Sequence, residues 1–166
     1  MNNTDPLAFL SYVRTDDEHE RGRITALRQR LEGEVRIQTG RPFVIFQDKK
    51  DILWGQQWKQ RLDTELFNVT FLIPIITPSY FRSAACRDEF EKFVIREKQL
   101  GKDTLILPIY YLEADEINEV SGESGDAIAT VLSQRNWADW RPMRFADIKT
   151  PEVERSIADM ANTNLQ

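Results

Sequence analysis

Polar side chains suited to chemistry gather in three short segments, each of which directly follows an apolar run. The segments span residues 11–14, 47–55 and 77–83. The chain has neither a G-x-G-x-x-G nor a Walker A motif, so any nucleotide must be held without a glycine-rich phosphate loop. Arg14 offers a cation for a phosphate group at a helix N-terminus, where unpaired N–H groups favour anions. The position of Arg14 equally fits a solvated loop arginine.

Glu89 is the carboxylate best placed to act on a ligand. It belongs to a helix that we expect to run from an N-cap at about Ser83 to a stop at Gly101. The buried stripe of this helix is formed by Cys86, Phe90, Phe93 and Val94. At about 100° per residue, Glu89 falls roughly 80° from the centre of the stripe, whereas Asp88 points nearly away from the core. A carboxylate on this shoulder is partly desolvated yet reaches the ligand side, as a functional acid would.

Ordinary surface chemistry is the competing interpretation for the acidic residues of this helix. A lone glutamate at the position of Glu89 is more often a partly exposed surface residue than a catalyst. Glu91 and Glu97 are both interpreted as surface carboxylates. The chain has one cysteine, Cys86, and one histidine, His19, which excludes an intrachain disulfide and a structural zinc site. We interpret Cys86 as a core residue rather than a nucleophile, because it lies on the apolar stripe.

The elements that must position these residues alternate between strand and helix. Apolar runs at 7–10, 43–46, 69–73 and 105–110 predict buried parallel strands, and a brief fifth strand is expected near 136–138. Residues with helical spacing lie between the runs: Ile24, Leu27, Leu31 and Val35; Trp54, Trp58, Leu62 and Leu66; Ile128, Val131 and Leu132; Val153, Ile157 and Met160. Residues 113–116 and 121–125 are predicted to form an acidic loop. This alternation predicts an α/β fold, an open parallel sheet with helices on both faces and ligands at the carboxyl ends of its strands.

Bulk composition limits the classes of protein that fit. A chain of 166 residues is the size of one domain, which we expect to span 1–166 with a core at about 6–162. The net charge of −5 and the pI near 5.0 argue against a nucleic-acid partner. Neither a secretion signal nor an apolar run of membrane-spanning length is evident, so we expect a cytoplasmic protein without a membrane partner.

Three stretches of the sequence resemble the conserved boxes of Toll/interleukin-1 receptor (TIR) domains. Residues 8–12, AFLSY, resemble the end of the family's first strand. Phe46, Gln47 and Asp48, followed by Gly55 and Trp58, resemble its BB loop and the next helix. Residues 79–90, SYFRSAACRDEF, resemble the S-x-x-(Y/F)-x-x-S-x-W-C-x-x-E-(L/F) segment. The order and spacing of the boxes, which continue as far as Trp140, make the resemblance specific.

The resemblance implies a flavodoxin-like fold of five strands in the order 2-1-3-4-5. It also implies an NAD+ glycohydrolase or cyclase that cleaves the bond between nicotinamide and ribose, with Glu89 as the catalytic residue. NAD+ would be the substrate, with no resident cofactor or metal, and the choice between hydrolysis and cyclisation stays open. The substrate-binding residues that it implies are Ser11, Tyr12, Arg14, Phe46, Asp48, Trp54, Ser83 and Cys86.

The family resemblance also concerns partners and activation. It implies assembly with other TIR domains through the BB loop, as a homo-oligomer or filament, in a bacterial defence protein with a fused or separate sensor. Ala85 stands where the family often has tryptophan, which removes an aromatic wall that Tyr80, Phe81 or Trp54 would have to replace. Trp54 fits a helix core equally well. The alternative is a non-catalytic scaffold that signals only by TIR–TIR assembly.

A phosphoacceptor receiver domain with the same strand order is a third interpretation. Such a domain needs an aspartate at the end of its third strand, whereas residues 75–78 read Ile-Ile-Thr-Pro. The sequence therefore disfavours a receiver domain, despite the adjacent Asp16 and Asp17.

Overall fold

The computed structural model describes residues 7–47, 70–119 and 125–164, and contains a five-stranded sheet. The strands are β1 (Leu7–Ser11), β2 (Val44–Phe46), β3 (Thr70–Ile76), β4 (Ile109–Tyr110) and β5 (Ala138–Asp139). They lie in the order β2-β1-β3-β4-β5, and every paired neighbour is parallel. The predicted fold class and strand order are confirmed. Ser11 pairs with Pro74, so the end of β1 lies beside the last residues of β3 at the carboxyl edge of the sheet.

Helices cover both faces of the sheet. They are α1 (Arg14–His19), α2 (Arg23–Thr39), α3 (Pro78–Arg82), α4 (Ala84–Leu100), α5 (Asp115–Asn118), α6 (Ala127–Ser133) and α7 (Pro151–Asn164), with a 3-10 turn at Arg141–Met143. One core cluster joins the sheet to α2 and α7, and the other joins it to α3, α4 and α6. Among the described helices, none combines the length and apolar composition that crossing a membrane requires.

Local sequence explains where the helix that carries Glu89 begins and ends. The Ser83 side chain accepts a hydrogen bond from the Cys86 backbone N–H at the start of α4. Gly101 ends α4 with a φ of 64°, a left-handed conformation that glycine adopts without strain. Both predicted boundaries are confirmed.

The fourth strand is shorter than the apolar run 105–110 predicts. Ile106 forms only an isolated bridge with Leu72, and β4 proper begins at Ile109. Pro108 lies between them and has no N–H to continue a ladder, although its carbonyl accepts a hydrogen bond from Ala138. The ladder is therefore interrupted at Pro108 and resumes beside β5.

Two sequence-based expectations are wrong. Residues 113–116 are not wholly loop, because α5 begins at Asp115, with Asp115 and Glu116 in the first turn, where acidic side chains favour a helix N-terminus. Glu97 is not a surface carboxylate, since only 2% of it is exposed. Arg135 binds it with nitrogen–oxygen distances of 2.9 and 2.6 Å, and the Leu105 backbone N–H donates to it at 3.0 Å. Sequence spacing along one helix gives no sign of a partner 38 residues away.

Candidate functional site

A buried hydroxyl pair joins the ends of the two central strands. Ser11, the last residue of β1, and Tyr80, in α3 after β3, share a hydrogen bond of 2.8 Å between their hydroxyl oxygens. Both residues are fully buried. The Tyr80 hydroxyl also lies 3.4 Å from the Cys86 carbonyl oxygen in α4. This pair therefore fixes the start of α4 against the carboxyl edge of the sheet.

Glu89 lies one turn further along α4, on the shoulder of its buried face. The residue as a whole is half-buried, while its Oε2 atom is buried. Burial raises the pKa of Tyr80 well above its usual value, and the negative charge of Glu89 raises it further. A negative charge on Glu89 thus disfavours ionisation of the Tyr80 hydroxyl. Asp88 next to it points to solvent and forms an ion pair of 2.9 Å with Lys92.

Cys86 packs in the core between these groups. The residue is 2% exposed, and burial raises the pKa of its thiol. Hydrogen bonds from Ser83 and Ser11 oppose this rise, and the charge of Glu89 adds to it. A thiol with a raised pKa stays protonated near neutral pH and is a poor nucleophile. The interpretation of Cys86 as a core cysteine is confirmed. Within the described ranges, no cluster of three or more His, Cys, Asp or Glu side chains is arranged to hold a metal ion.

The short helix α1 lies across the same edge of the sheet. Arg14 is its first residue and is exposed. Asp16 accepts a hydrogen bond of 2.6 Å from the Thr77 hydroxyl, which ties α1 to the loop after β3. Asp17 accepts hydrogen bonds from the backbone N–H groups of Ile24 and Thr25. A negative side chain thus already occupies the N-terminus of α2, so a phosphate there would meet a carboxylate, and Arg14 remains the candidate for binding it.

Residues at the end of β2 lie on either side of the sheet. Phe46 packs against the cluster that contains Tyr80 and Cys86. Gln47 donates a hydrogen bond of 3.3 Å to the Tyr12 hydroxyl, and Arg28 donates to Gln47 at 2.7 Å. These contacts anchor the chain where it enters the segment 48–69. The expected site residues Asp48 and Trp54 lie in that segment, outside the described residues.

The structure thus brings together part of the expected site. Ser11, Ser83 and Cys86 meet around Tyr80 at the carboxyl ends of β1 and β3, where the strand order reverses, and Glu89 lies one helical turn beyond Cys86. At such a topological switch point, the loops that follow the two neighbouring strands run in opposite directions, and α/β proteins commonly bind ligands between them. Ser11 and Cys86 are buried, so their contacts in this structure are with protein groups, and their contact with a substrate stays a prediction.

Comparison with known proteins then identifies the family. The sequence model of the family described as TIR domain matches residues 9–151. The chain belongs to the TIR-domain family. No curated protein sequence matches it. The TIR family includes enzymes that cleave NAD+ as well as non-catalytic members, and TIR domains generally interact with other TIR domains.

Sequence reasoning missed the role of Tyr80 in this TIR domain. It treated Tyr80 only as a possible aromatic wall, whereas the hydroxyl group supports the ends of β1 and α4. A local signal was present: Thr77 accepts a hydrogen bond from the Tyr80 backbone N–H, and Pro78 occupies the first turn of α3. Threonine followed by proline is a common helix start, so a separate helix before Ser83 was predictable.

Removing the Tyr80 hydroxyl should destabilise the fold around the site. In Tyr80→Phe, the buried Ser11 hydroxyl loses its 2.8 Å partner, which is expected to lower the free energy of unfolding by about 1–2 kcal/mol. Urea denaturation followed by circular dichroism measures the change. The double variant Ser11→Ala/Tyr80→Phe should cost less than the sum of the single changes, because it leaves neither hydroxyl unpaired. Additive costs would show that the two hydroxyls do not act as a pair.

Proposed function

We propose that this TIR domain cleaves the bond between nicotinamide and ribose in NAD+, with Glu89 as its catalytic residue. The observation that supports the proposal most directly is the partial burial of Glu89, whose Oε2 atom is buried. Glu89 lies in α4, between β3 and β4, on the side of the sheet where the strand order reverses. A carboxylate in a partly dry site interacts with a developing positive charge more strongly than one in water does.

The chemistry needs one carboxylate and no general acid. The bond between ribose C1′ and the pyridinium nitrogen breaks with its electron pair passing to nitrogen, so nicotinamide leaves as a neutral molecule. Positive charge develops at C1′ and the ring oxygen, where Glu89 stabilises it. Water then attacks C1′ and releases a proton, which gives ADP-ribose, or a nitrogen of the adenine attacks and gives a cyclic product. Arg14, exposed at the start of α1, would bind the pyrophosphate as a charge-assisted partner.

Assembly is the proposed means of activation. The segment expected to contain the BB loop follows Gln47, whose side chain is held by Arg28. Contacts between neighbouring copies through that segment would bring Asp48 and Trp54 to the substrate site. Residues from a neighbouring copy would also supply the aromatic surface that Ala85, which is exposed near the start of α4, does not provide.

Nicotinamide release at two protein concentrations tests the proposal. The purified chain is incubated with NAD+ at high concentration with a crowding agent, and separately when dilute, and the products are separated by chromatography. We expect nicotinamide to appear in the first sample with a specific activity that falls on dilution. Assembly without any nicotinamide release would instead identify a scaffold TIR domain, the interpretation favoured by the alanine at position 85.

A further inference from the structure

A concave site lies away from Glu89, between the N-terminal part of α2 and the turn that follows β5. It is a groove of about 330 Å³, a volume within the range of about 300–1,000 Å³ found for small-molecule sites. Its apolar lining includes Trp140, Met143, Phe145 and Ile148, and its cations are Arg23 and Arg144. The groove therefore combines an apolar surface with two guanidinium groups and one carboxylate, that of Asp147.

Phe145 is the most exposed large apolar side chain in the described part of the chain, at 75%. The Arg144 guanidinium carbon lies 4.6 Å from the centre of its ring, which holds the ring at the rim of the groove. Trp140, at the same groove, is 5% exposed. An aromatic ring left in water beside an apolar groove gains contact area if a flat apolar ligand covers it.

The charges behind the groove leave one arginine available to a ligand. Glu20, which is 5% exposed, accepts two hydrogen bonds from Arg144, at 2.9 and 3.1 Å, and one from the Tyr111 hydroxyl at 2.8 Å. The hydrogen bonds from Arg144 hold the pKa of Glu20 below its usual value, so the carboxylate stays charged. Both of its oxygens are thus occupied by groups other than Arg23.

Arg23 is the second cation facing Glu20, at a nitrogen–oxygen distance of 4.0 Å, which is beyond a hydrogen bond. Its side chain is 44% exposed, and within the described ranges it makes no hydrogen bond to a protein group. Asp147 also lines the groove, and its carboxylate accepts a hydrogen bond of 2.8 Å from the Lys149 backbone N–H. The charges of Arg23, Arg144, Glu20 and Asp147 therefore balance, and anion recognition depends on the exposed guanidinium of Arg23 rather than on a net positive charge. Arg23 is therefore the donor best placed to bind an anion.

We infer that this groove is a binding site for a small aromatic acid, whose ring contacts Phe145 and whose carboxylate or sulfonate binds Arg23. The guanidinium presents parallel N–H donors that match the two oxygens of such a group. The groove is separate from the proposed site of NAD+ cleavage, because none of its lining residues belongs to the cluster around Tyr80 and Glu89.

Fluorescence titration with 8-anilinonaphthalene-1-sulfonate tests the inference. We expect saturable binding at one site, weakened about tenfold by Phe145→Ala and by Arg23→Gln. Two variants serve as matched controls: Ile95→Ala, an exposed apolar residue on α4, and Arg41→Gln, an exposed arginine after α2. These controls should bind the probe as the unchanged chain does. N-phenyl-1-naphthylamine, which has the same rings without the sulfonate, should bind about tenfold more weakly to the unchanged chain.

Three outcomes would overturn the inference. Equal binding by Phe145→Ala, Arg23→Gln and the two controls would place the probe elsewhere. Equal affinity for the neutral probe would reduce the groove to an apolar surface without anion recognition. Dimerisation of the unchanged chain, seen by sedimentation equilibrium without probe and abolished by Phe145→Ala, would identify a second copy as the occupant. Thermal melting of each variant confirms that it remains folded.

Discussion

Replacing Glu89 by glutamine is expected to lower the rate of NAD+ cleavage about 10²–10³-fold, the usual cost of removing one group that stabilises a transition-state charge. Glutamine keeps the size and hydrogen-bonding capacity of the side chain but removes its negative charge. The half-burial of Glu89 makes the charge harder to replace by water than on an exposed residue. Nicotinamide release, measured by chromatography at an assembling protein concentration, reports the loss.

Asp88→Asn is the matched control for this result. Asp88 precedes Glu89 on the same helix, and its side chain is 62% exposed. Removing its charge should change the rate by less than about twofold, since an exposed charge is screened by solvent. Circular dichroism and the tendency to assemble should be unchanged in both variants. Cleavage by Glu89→Gln at the rate of Asp88→Asn would contradict the catalytic assignment while leaving the fold and the family unaffected.

The sequence predicted those features that depend on neighbouring residues along the chain, such as the ends of α4 and the exposure of its side chains. Ser83 caps the start of α4 and Gly101 ends it, and both residues are recognisable in the sequence. The 3.6-residue period of the helix placed Glu89 on the shoulder of the buried face and Asp88 in solvent. Alternating apolar runs predicted the parallel sheet, because a strand buried on both faces must be apolar throughout. The strand order came from the family resemblance, since periodicity does not reveal which strands are neighbours.

Features that depend on contacts between distant segments were not predictable in the same way. The Ser11 hydroxyl is buried against Tyr80, 69 residues away, so a polar residue expected to meet a substrate is part of the core. Glu97 and Arg135 show the same limit for charged residues. A glutamate that occurs among Lys and Arg on an amphipathic helix is usually in water, and only the tertiary structure shows that α4 carries it to a buried partner.

Replacing Arg135 by methionine is expected to lower the free energy of unfolding by about 3–5 kcal/mol, because it leaves the charge of Glu97 buried without its ion-pair partner. Glu97 keeps one hydrogen bond from the Leu105 backbone, which cannot balance a full charge at 2% exposure. Glu97→Met should cost less, about 1–3 kcal/mol, since the Arg135 side chain is 19% exposed and still donates to the Asp103 carbonyl at 3.0 Å. Urea denaturation followed by circular dichroism measures both.

The double variant Glu97→Met/Arg135→Met separates the cost of an unpaired charge from the value of the pair itself. With both charges replaced by apolar side chains, the double variant should be more stable than Arg135→Met alone, since no buried charge remains. Arg155→Met, at an exposed position on α7, controls for the loss of an arginine and should change stability by less than about 0.5 kcal/mol. A double variant less stable than Arg135→Met would mean that Arg135 stabilises the protein mainly through its packing and its bond to Asp103. The buried pair would then be a minor contributor to the link between α4 and the residues before β5.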